Sequence, residues 1–496
     1  MRVATAIGGE CSIVYDVFDT ACRLETVTHE TGEGHVHWLD WIILATYALG
    51  MLAVGVYFQR RQTGLDEFFV GGRNMGAGHV GLSVVATDVG GGFSIGLGGL
   101  GFAIGLSASW LLFTGLVGAW LAAVVLIPRV KQLGDIHGDR SYPAFIRRRF
   151  GPGAALVAAL VSAIGYAAFT GSQLLAGGTL AAAAFDLSLN HAVLLMSVVI
   201  VVYTAFGGIQ AVIYTDSLQW TLLFGGLIGL GLPLGYRACG GWQGLKAALP
   251  PEFFTLTNVT TDQILTWGLS IIPIWFVAMT LYQRIHAARD VGTARRAWFL
   301  AGLLEWPMMA FMGATLGMFS RVLYPAVEAE MGLPLLIRDV LPVGATGIVL
   351  AAYFAAIMST ADSCLLASIG NVVDDIVGTT LAPATAESDL LRLSRILTLV
   401  VGFGSVAFAL LVPSVLESIL LAYAFMVGGL FIPTLAALFV PRASGLGALL
   451  GMVAGGATTV TLSVLEPAWA GHPMAVGLAV ATLGVVLGSV IRPNRM

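Results

Sequence analysis

About thirteen stretches of roughly 20 mostly apolar residues divide this chain, at 38–58, 77–105, 107–127, 153–185, 191–208, 213–236, 263–285, 297–323, 346–376, 392–412, 416–440, 444–465 and 472–491. Each can cross a hydrocarbon core of about 30 Å as a helix rising about 1.5 Å per residue. A chain built this way has to fold inside a bilayer. Its composition agrees: 57% of its 496 residues are hydrophobic and 10% are charged, against about 25% charged in soluble proteins. The fold class expected is an all-α polytopic membrane protein with the lipid bilayer as partner. Basic residues fall in short loops and not on one continuous face, which excludes a nucleic-acid binder.

Arginine and lysine set the orientation, because short loops rich in them stay in the cytoplasm. Taking loops alternately, one side holds Arg60, Arg61, Arg73, Arg129, Lys131, Arg140, Arg147 to Arg149, Arg284, Arg289, Arg295, Arg296, Arg392, Arg395, Arg442, Arg492 and Arg495. The other holds only Arg2, Arg23, Arg237, Lys246, Arg321 and Arg338. The expected topology places the N-terminus outside and the C-terminus in the cytoplasm, in an inner membrane, with Arg147 to Arg149 as a topological anchor. Residues 1–37 form an acidic extracytoplasmic tail without the basic start and compact apolar core of a signal peptide. An oxidising compartment would allow Cys11 and Cys22 in that tail to pair, whereas Cys364 reads as a small buried filler.

Two spans are interrupted in corresponding places. Ala86-Thr87-Asp88-Val89-Gly90-Gly91-Gly92 puts an acid and three glycines in the second span, and Trp267 to Pro273 puts a proline in the seventh. The two breaks are five spans apart, counting from one to the other. This spacing suggests an inverted repeat whose units each open on a discontinuous helix lining a central site. The domains expected are a peripheral helix at 38–58, five-helix repeats at 77–236 and 263–440, and two peripheral helices at 444–491.

The ninth span carries most of the polar chemistry, in Ala355-Ala356-Ile357-Met358-Ser359-Thr360-Ala361-Asp362-Ser363. An aspartate at a helix centre costs roughly 2.5 to 3.5 kcal/mol on insertion scales, so it needs a partner. Ala356, Ser359 and Thr360 share one helical face, and Ser359, Asp362 and Ser363 repeat the pattern one turn on. Oxygen ligands without histidine or cysteine suit a hard cation. Hydroxyls in membrane helices commonly bond back to the preceding turn instead, and this is the plainer reading of any one of them. Asp88 could cap a half-helix or steer an ion, and Glu305, inside an apolar run, is a functional candidate. Asp374 and Asp375 read as solvated, Glu417 as interfacial, and His137 and His286 as loop residues. The eight histidines form no metal or catalytic set, so no enzyme is expected, and acids clustered at one depth do not line a channel.

Three further segments, Asp66-Glu67-Phe68-Phe69-Val70-Gly71-Gly72-Arg73-Asn74-Met75-Gly76, Gly207-Gly208-Ile209-Gln210-Ala211-Val212-Ile213-Tyr214-Thr215-Asp216-Ser217-Leu218-Gln219 and the loop Tyr142 to Gly151, combine with the ninth span in a telling order. Over about residues 38–440 the chain resembles the sodium/solute symporter family. The resemblance implies secondary active transport on a leucine-transporter-type fold, with sodium as the coupling ion and a small-molecule solute as cargo. It implies a first sodium site from the carbonyls of Ala86, Val89 and Ala356 and the hydroxyls of Ser359 and Thr360. A second cation site would use Asp216, Ser359, Asp362 and Ser363. Relatives with that second site have a hydroxyl residue where this chain has Asp362, and two acids are more than one sodium requires. A substrate site is expected from Asp88, Gly91, Gly92, Trp110, Trp275, Glu305 and Trp306, with Tyr282 a further aromatic candidate. Glu305 falls where sugar-carrying relatives have a lysine, and Val89 to Gly92 resembles the choline-carrying branch, so an amine or quaternary ammonium is the solute expected. Proton coupling through Asp88, Asp216 and Asp362 is the rival within the same fold.

Overall fold

The computed structural model describes residues 36–59, 65–412, 414–465 and 472–493. Cys11 and Cys22, and the pairing expected of them, lie outside the described residues. Among those described the chain is helical, with one isolated bridge between Met75 and Ala288. The longer helices and the segment that completes the bent span are α1 (Trp38–Gln59), α2 (Ala77–Val89), α3 (Gly91–Ile104), α4 (Trp110–Val125), α5 (Pro152–Phe185), α6 (Leu189–Gly226), α7 (Thr261–Val277) and α8 (Met279–Ala287). There follow α9 (Val291–Leu304), α10 (Phe311–Leu323), α11 (Ala329–Val340), α12 (Ala345–Gly370), α13 (Glu387–Leu411), α14 (Val415–Phe439), α15 (Gly445–Leu465) and α16 (Pro473–Ile491).

Among the described residues, 9 helical stretches are long and apolar enough to cross a membrane, or 10 if the bent pair α7–α8 is one span. The number falls short of thirteen partly because functional crossings are broken: α2 has 13 residues and α3 has 14. Helical backbone also continues through α6 for 38 residues, where the sequence suggests two spans. That stretch and the helix Leu232–Ala238 beyond it would measure about 75 Å if straight. Yet Arg338, at the end of α11, reaches the Ala183 carbonyl near the start of α6, and Leu232–Ala238 also packs on α11. Because α11 is about 18 Å long, the chain reverses direction within the stretch.

The first break falls where the sequence places it. Gly90 has φ 21° and ψ −176°, which ends α2 and starts α3. The second does not fall at Pro273, which lies inside α7. The helix tolerates the lost proline N–H for another turn and bends by 43° where Ala278 takes extended dihedrals. A third irregularity is the π-helical turn Glu305–Ala310 between α9 and α10, which contains Pro307 and begins at Glu305.

Burial explains why the polar residues are tolerated. Of the span containing α12, 94% lies inside the protein, against 28% for α13 and α16. The peripheral α15 and α16 pair instead through small residues: a Cβ on Gly488 would come within 2.5 Å of the Gly447 Cα. At one end of the helices, Asp66 bonds Arg73 and Arg140 (both 2.8 Å), and Arg140 also bonds Asp374 (3.0 Å). Partial burial would raise the Asp66 carboxyl, but the two guanidinium groups outweigh it and hold it below the usual carboxylate range. Asp374 and Asp375 are therefore not simply solvated. Asp375 is buried, accepts from Ser141 (2.7 Å), and its backbone carbonyl accepts from Arg147 (3.1 Å). Nor is His286 a loop residue, since it is buried within α8. Cys364 is a buried free cysteine, and Glu417 is exposed, as expected.

The first helix, α1, is tied to α12 through one carboxylate. Asp40 Oδ1 accepts from the backbone N–H groups of Gly344 and Gly347 at the start of α12, both at 2.7 Å. Replacing Asp40 by Ala leaves these amides unpaired in a buried corner. Thermal unfolding in detergent should show a loss of about 1–2 kcal/mol for Asp40→Ala, with a smaller loss for Asp40→Asn.

Candidate ion and substrate site

The break at Gly90 leaves the last carbonyls of α2 without helical partners, and α12 lies against them. The Ala86 carbonyl accepts from Ser359 Oγ (3.3 Å) and Thr360 Oγ1 (3.0 Å). Both hydroxyls also reach the Ala356 carbonyl, at 2.8 and 3.3 Å. Four oxygens from two helices therefore converge, and Val89 closes α2 one turn away. The back-bonding expected of membrane hydroxyls and the ion-ligand geometry coexist here, because the same hydroxyls bridge both helices. A sodium ion fits such a donor set, which is all oxygen and uncharged. Among the described residues, no group of three or more His, Cys, Asp or Glu competes as a metal site. Only glycine serves at position 90, because a Cβ there would lie 1.8 Å from Thr360 Oγ1.

One turn along α12, the second set of residues surrounds a side chain that the sequence counts with the loop charges. Arg284, in α8, has a fully buried side chain. Its Nη2 lies 3.2 Å from Asp216 Oδ2 and donates to Ser363 Oγ at 2.8 Å, while Nε donates to Ser83 Oγ at 2.8 Å. Ser83 in turn donates to Asp216 Oδ2, and Ser363 can donate to the Ser359 carbonyl (2.8 Å) or to Asp362 Oδ1 (3.4 Å). The chain thus supplies one cation for two acids, and Asp216 Oδ1 and Asp362 Oδ2 remain buried without a donor.

The predicted substrate residues separate into two groups. Asp88 does not cap α3, whose first turn carries no side-chain cap. Its carboxyl instead faces Glu305 and the Tyr423 hydroxyl of α14. Glu305 is fully buried against Gly115 of α4, where a Cβ would sit 1.9 Å from Oε1. One helical turn away, Gly118 makes the same allowance for Trp275, at 2.4 Å from Cδ1. Gly92 donates its N–H to Gln173 Oε1 (3.1 Å), and a Cβ on it would collide with that amide. Gly91 adjoins it as the first residue of α3.

Trp110 and Trp306 instead pack edge-on against Phe113, at 5.1 and 5.0 Å, and Trp110 Nε1 bonds the Leu256 carbonyl (2.9 Å). Tyr282 is consumed in packing on Tyr142 and in a bond to the Phe276 carbonyl. Arg284, Ser83, Gln173 and Tyr423 were not anticipated. Arg284 alone left a sequence signal, its position just beyond a broken span.

Comparison with known proteins accords with this geometry. The model of the family described as "Sodium:solute symporter family" matches residues 68–455. The high-affinity proline transporter PutP of Bacillus subtilis is 26% identical over 469 residues, spanning 89% of this chain and 96% of that protein. A sodium/proline symporter of Staphylococcus aureus is 27% identical over 397 residues, 76% of each chain. In fold, the chain is similar to a Na+-coupled sialic acid symporter in an outward-open state, with a TM-score of 0.78 at 22% identity, covering 93% of this chain and 100% of that one.

Two substitutions test the geometry. Gly90→Ala should lower sodium-dependent uptake at least about tenfold in cells that still place the protein in the membrane, because Thr360 and the added methyl cannot share the space. Arg284→Gln leaves two buried acids uncompensated and should cost about 3–5 kcal/mol of thermal stability in detergent, with Asp216→Asn in the same chain restoring part of it.

Proposed function

Because the chain belongs to the sodium:solute symporter family, with sodium as its coupling ion, we propose that it imports a small organic solute bearing a positively charged nitrogen. The sodium ion sits between the carbonyls of Ala86, Val89 and Ala356 and the hydroxyls of Ser359 and Thr360. The observation that carries the sodium assignment is the convergence of Ser359 and Thr360 on the Ala86 carbonyl at the break. For the solute it is the pair Asp88 and Glu305, two enclosed carboxyls facing each other beside the Tyr423 hydroxyl. A sugar or an anion has no means of balancing that charge. The named proline carriers among its relatives handle a molecule with such a nitrogen.

The chain crosses an inner membrane about thirteen times as a five-plus-five inverted repeat, N-terminus outside and C-terminus in the cytoplasm. Sodium joins α2 to α12, solute enters beside the break, and one helix bundle rocks against the other. Each positive charge moved inward at about 100 mV contributes roughly 2.3 kcal/mol, about fifty-fold accumulation. At the second cluster Arg284 balances one of the two acids, and a further small monovalent cation balances the other. The unpaired oxygens of Asp216 and Asp362 support that reading, which leaves room for a second sodium or for a proton.

Uptake into proteoliposomes distinguishes these. An imposed inward sodium gradient should drive accumulation, and an imposed pH gradient without sodium should not. Ser359→Ala and Thr360→Ala should each raise the half-saturating sodium concentration about tenfold. Ser363→Ala, a partner of Arg284, should leave it within about threefold. Uptake driven equally by a pH gradient alone would refute sodium coupling at this site.

A further inference from the structure

The last three helices carry a second concave feature, away from the break. α15 and α16 both pack on α14, and a groove of about 650 Å³ runs between α14 and α16. Its walls are Ile432, Ala436 and Phe439 on one side and Val485, Val486 and Val490 on the other. Two hydroxyl residues also line it, but both are engaged within the fold. Thr482 donates to the Leu478 carbonyl (2.8 Å), and Ser489 donates to the Val485 carbonyl (2.7 Å) and accepts from the Ser444 N–H (3.0 Å). Along its length the groove is thus apolar.

Its mouth is the opposite. Arg442, between α14 and α15, lines it together with Pro493, which follows Arg492 at the end of α16. Arg492 and Pro493 also line a second groove of about 410 Å³, so the two grooves meet at Pro493. The second groove lies between the first turns of α5 (Gly153, Ala154) and α15 (Gly445, Leu446), and helix N-termini favour negative charge. A third guanidinium, that of Arg129, stands 5.1 Å over the Phe439 ring. Residues 418–465 and 473–496 contain no Asp or Glu to offset these charges. Neither Arg442 nor Arg492 has a hydrogen-bond or ion-pair partner among the described residues.

Arginines at span ends commonly do no more than fix orientation. These stand at the head of an apolar groove, and that pairing of charge with depth selects the occupant. A second copy is disfavoured, because a twofold axis along the membrane normal would set each Arg442 and Arg492 at the same depth as its counterpart. A soluble anion would leave the apolar walls uncovered. An anionic phospholipid meets both demands. We propose that this face binds one, with its phosphate at Arg442 and Arg492 and an acyl chain along the groove between α14 and α16. The lipid braces the α15–α16 pair against α14, the helix that brings Tyr423 to Asp88.

The test uses the full-length protein, delipidated in a neutral detergent with sodium present. Palmitoyl-oleoyl phosphatidylglycerol and the matching phosphatidylcholine are titrated in parallel, with glycerol phosphate as a headgroup without tails. Binding is read by native mass spectrometry and by thermal shift. Two arginines at the headgroup should favour phosphatidylglycerol by about thirtyfold. Arg442→Gln combined with Arg492→Gln should bring that preference below about threefold, and the corresponding pair of Lys substitutions should retain most of it. Val486→Trp, which fills the groove from its exposed wall, should weaken both lipids about tenfold. A sodium-induced thermal shift identifies each variant as folded.

Equal binding of the two lipids overturns the proposal, as does a preference that survives the loss of both arginines. Undiminished binding to the Val486→Trp protein places the lipid elsewhere and also overturns it. Displacement of phosphatidylglycerol by an equal concentration of glycerol phosphate would show a soluble-anion site instead. Disulfide dimers formed by a Val486→Cys variant, absent from the parent and undiminished by phosphatidylglycerol, would show a second copy in the groove. Either result overturns the proposal.

Discussion

A charge enclosed at membrane depth must meet an opposite one, and this constraint governs the centre of the molecule. Asp88, Asp216, Glu305 and Asp362 are all buried there, and Arg284, buried with them, pairs with Asp216. Four acids against one base leave three carboxyls to be neutralised by bound protons or by cations from outside the chain. Sodium at the break, a cationic nitrogen at Glu305 and a small cation beside Asp216 and Asp362 would neutralise them. On this view the acids belong to the transport cycle, because the protein core is electrically complete only when loaded. The same need explains why α12, which carries Asp362 and the hydroxyls of Ser359 and Thr360, is the span most fully enclosed by protein.

Holding these groups requires backbone contact closer than ordinary side chains permit. Gly90 lets Thr360 touch the end of α2, and Gly115 and Gly118 let Glu305 and Trp275 press onto α4. The discontinuities serve the same end. The left-handed turn at Gly90 frees carbonyls, the extended residue Ala278 directs α8 so that Arg284 enters the core, and the π turn beginning at Glu305 sets that carboxyl inward. The capping carboxylate of Asp40 then fixes the start of α12 from α1.

Much of this was legible in the sequence, for physical reasons. Apolar runs announce spans, and a run of glycines with an acid announces a break, while the spacing of Ser359 and Thr360 marks one polar face of α12 and the family resemblance supplies Ala86 as its partner. Sequence spacing failed where the answer depended on a distant partner. Arg284 reads as a loop charge because a single basic residue near a span end usually is one; only Asp216, 68 residues earlier, reveals it as buried. Asp374 and Asp375 read as solvated until Arg140, Arg147 and Ser141 are brought against them. Pro273 was the expected break, yet a proline without a freed carbonyl ligand beside it need not interrupt a helix, and the bend falls at Ala278 instead. Trp110 and Trp306 were plausible by type, but their rings are committed to Phe113.

The bare face of α4 has a further implication. Gly115 and Gly118 carry no charge and make no hydrogen bond to any solute, yet their missing side chains set how far Glu305 and Trp275 stand back from the break. A single methyl group at either position would push an acid or an indole off α4. On the proposed reading, drift at these two glycines would change the room left for a solute without touching Ala86, Ser359 or Thr360.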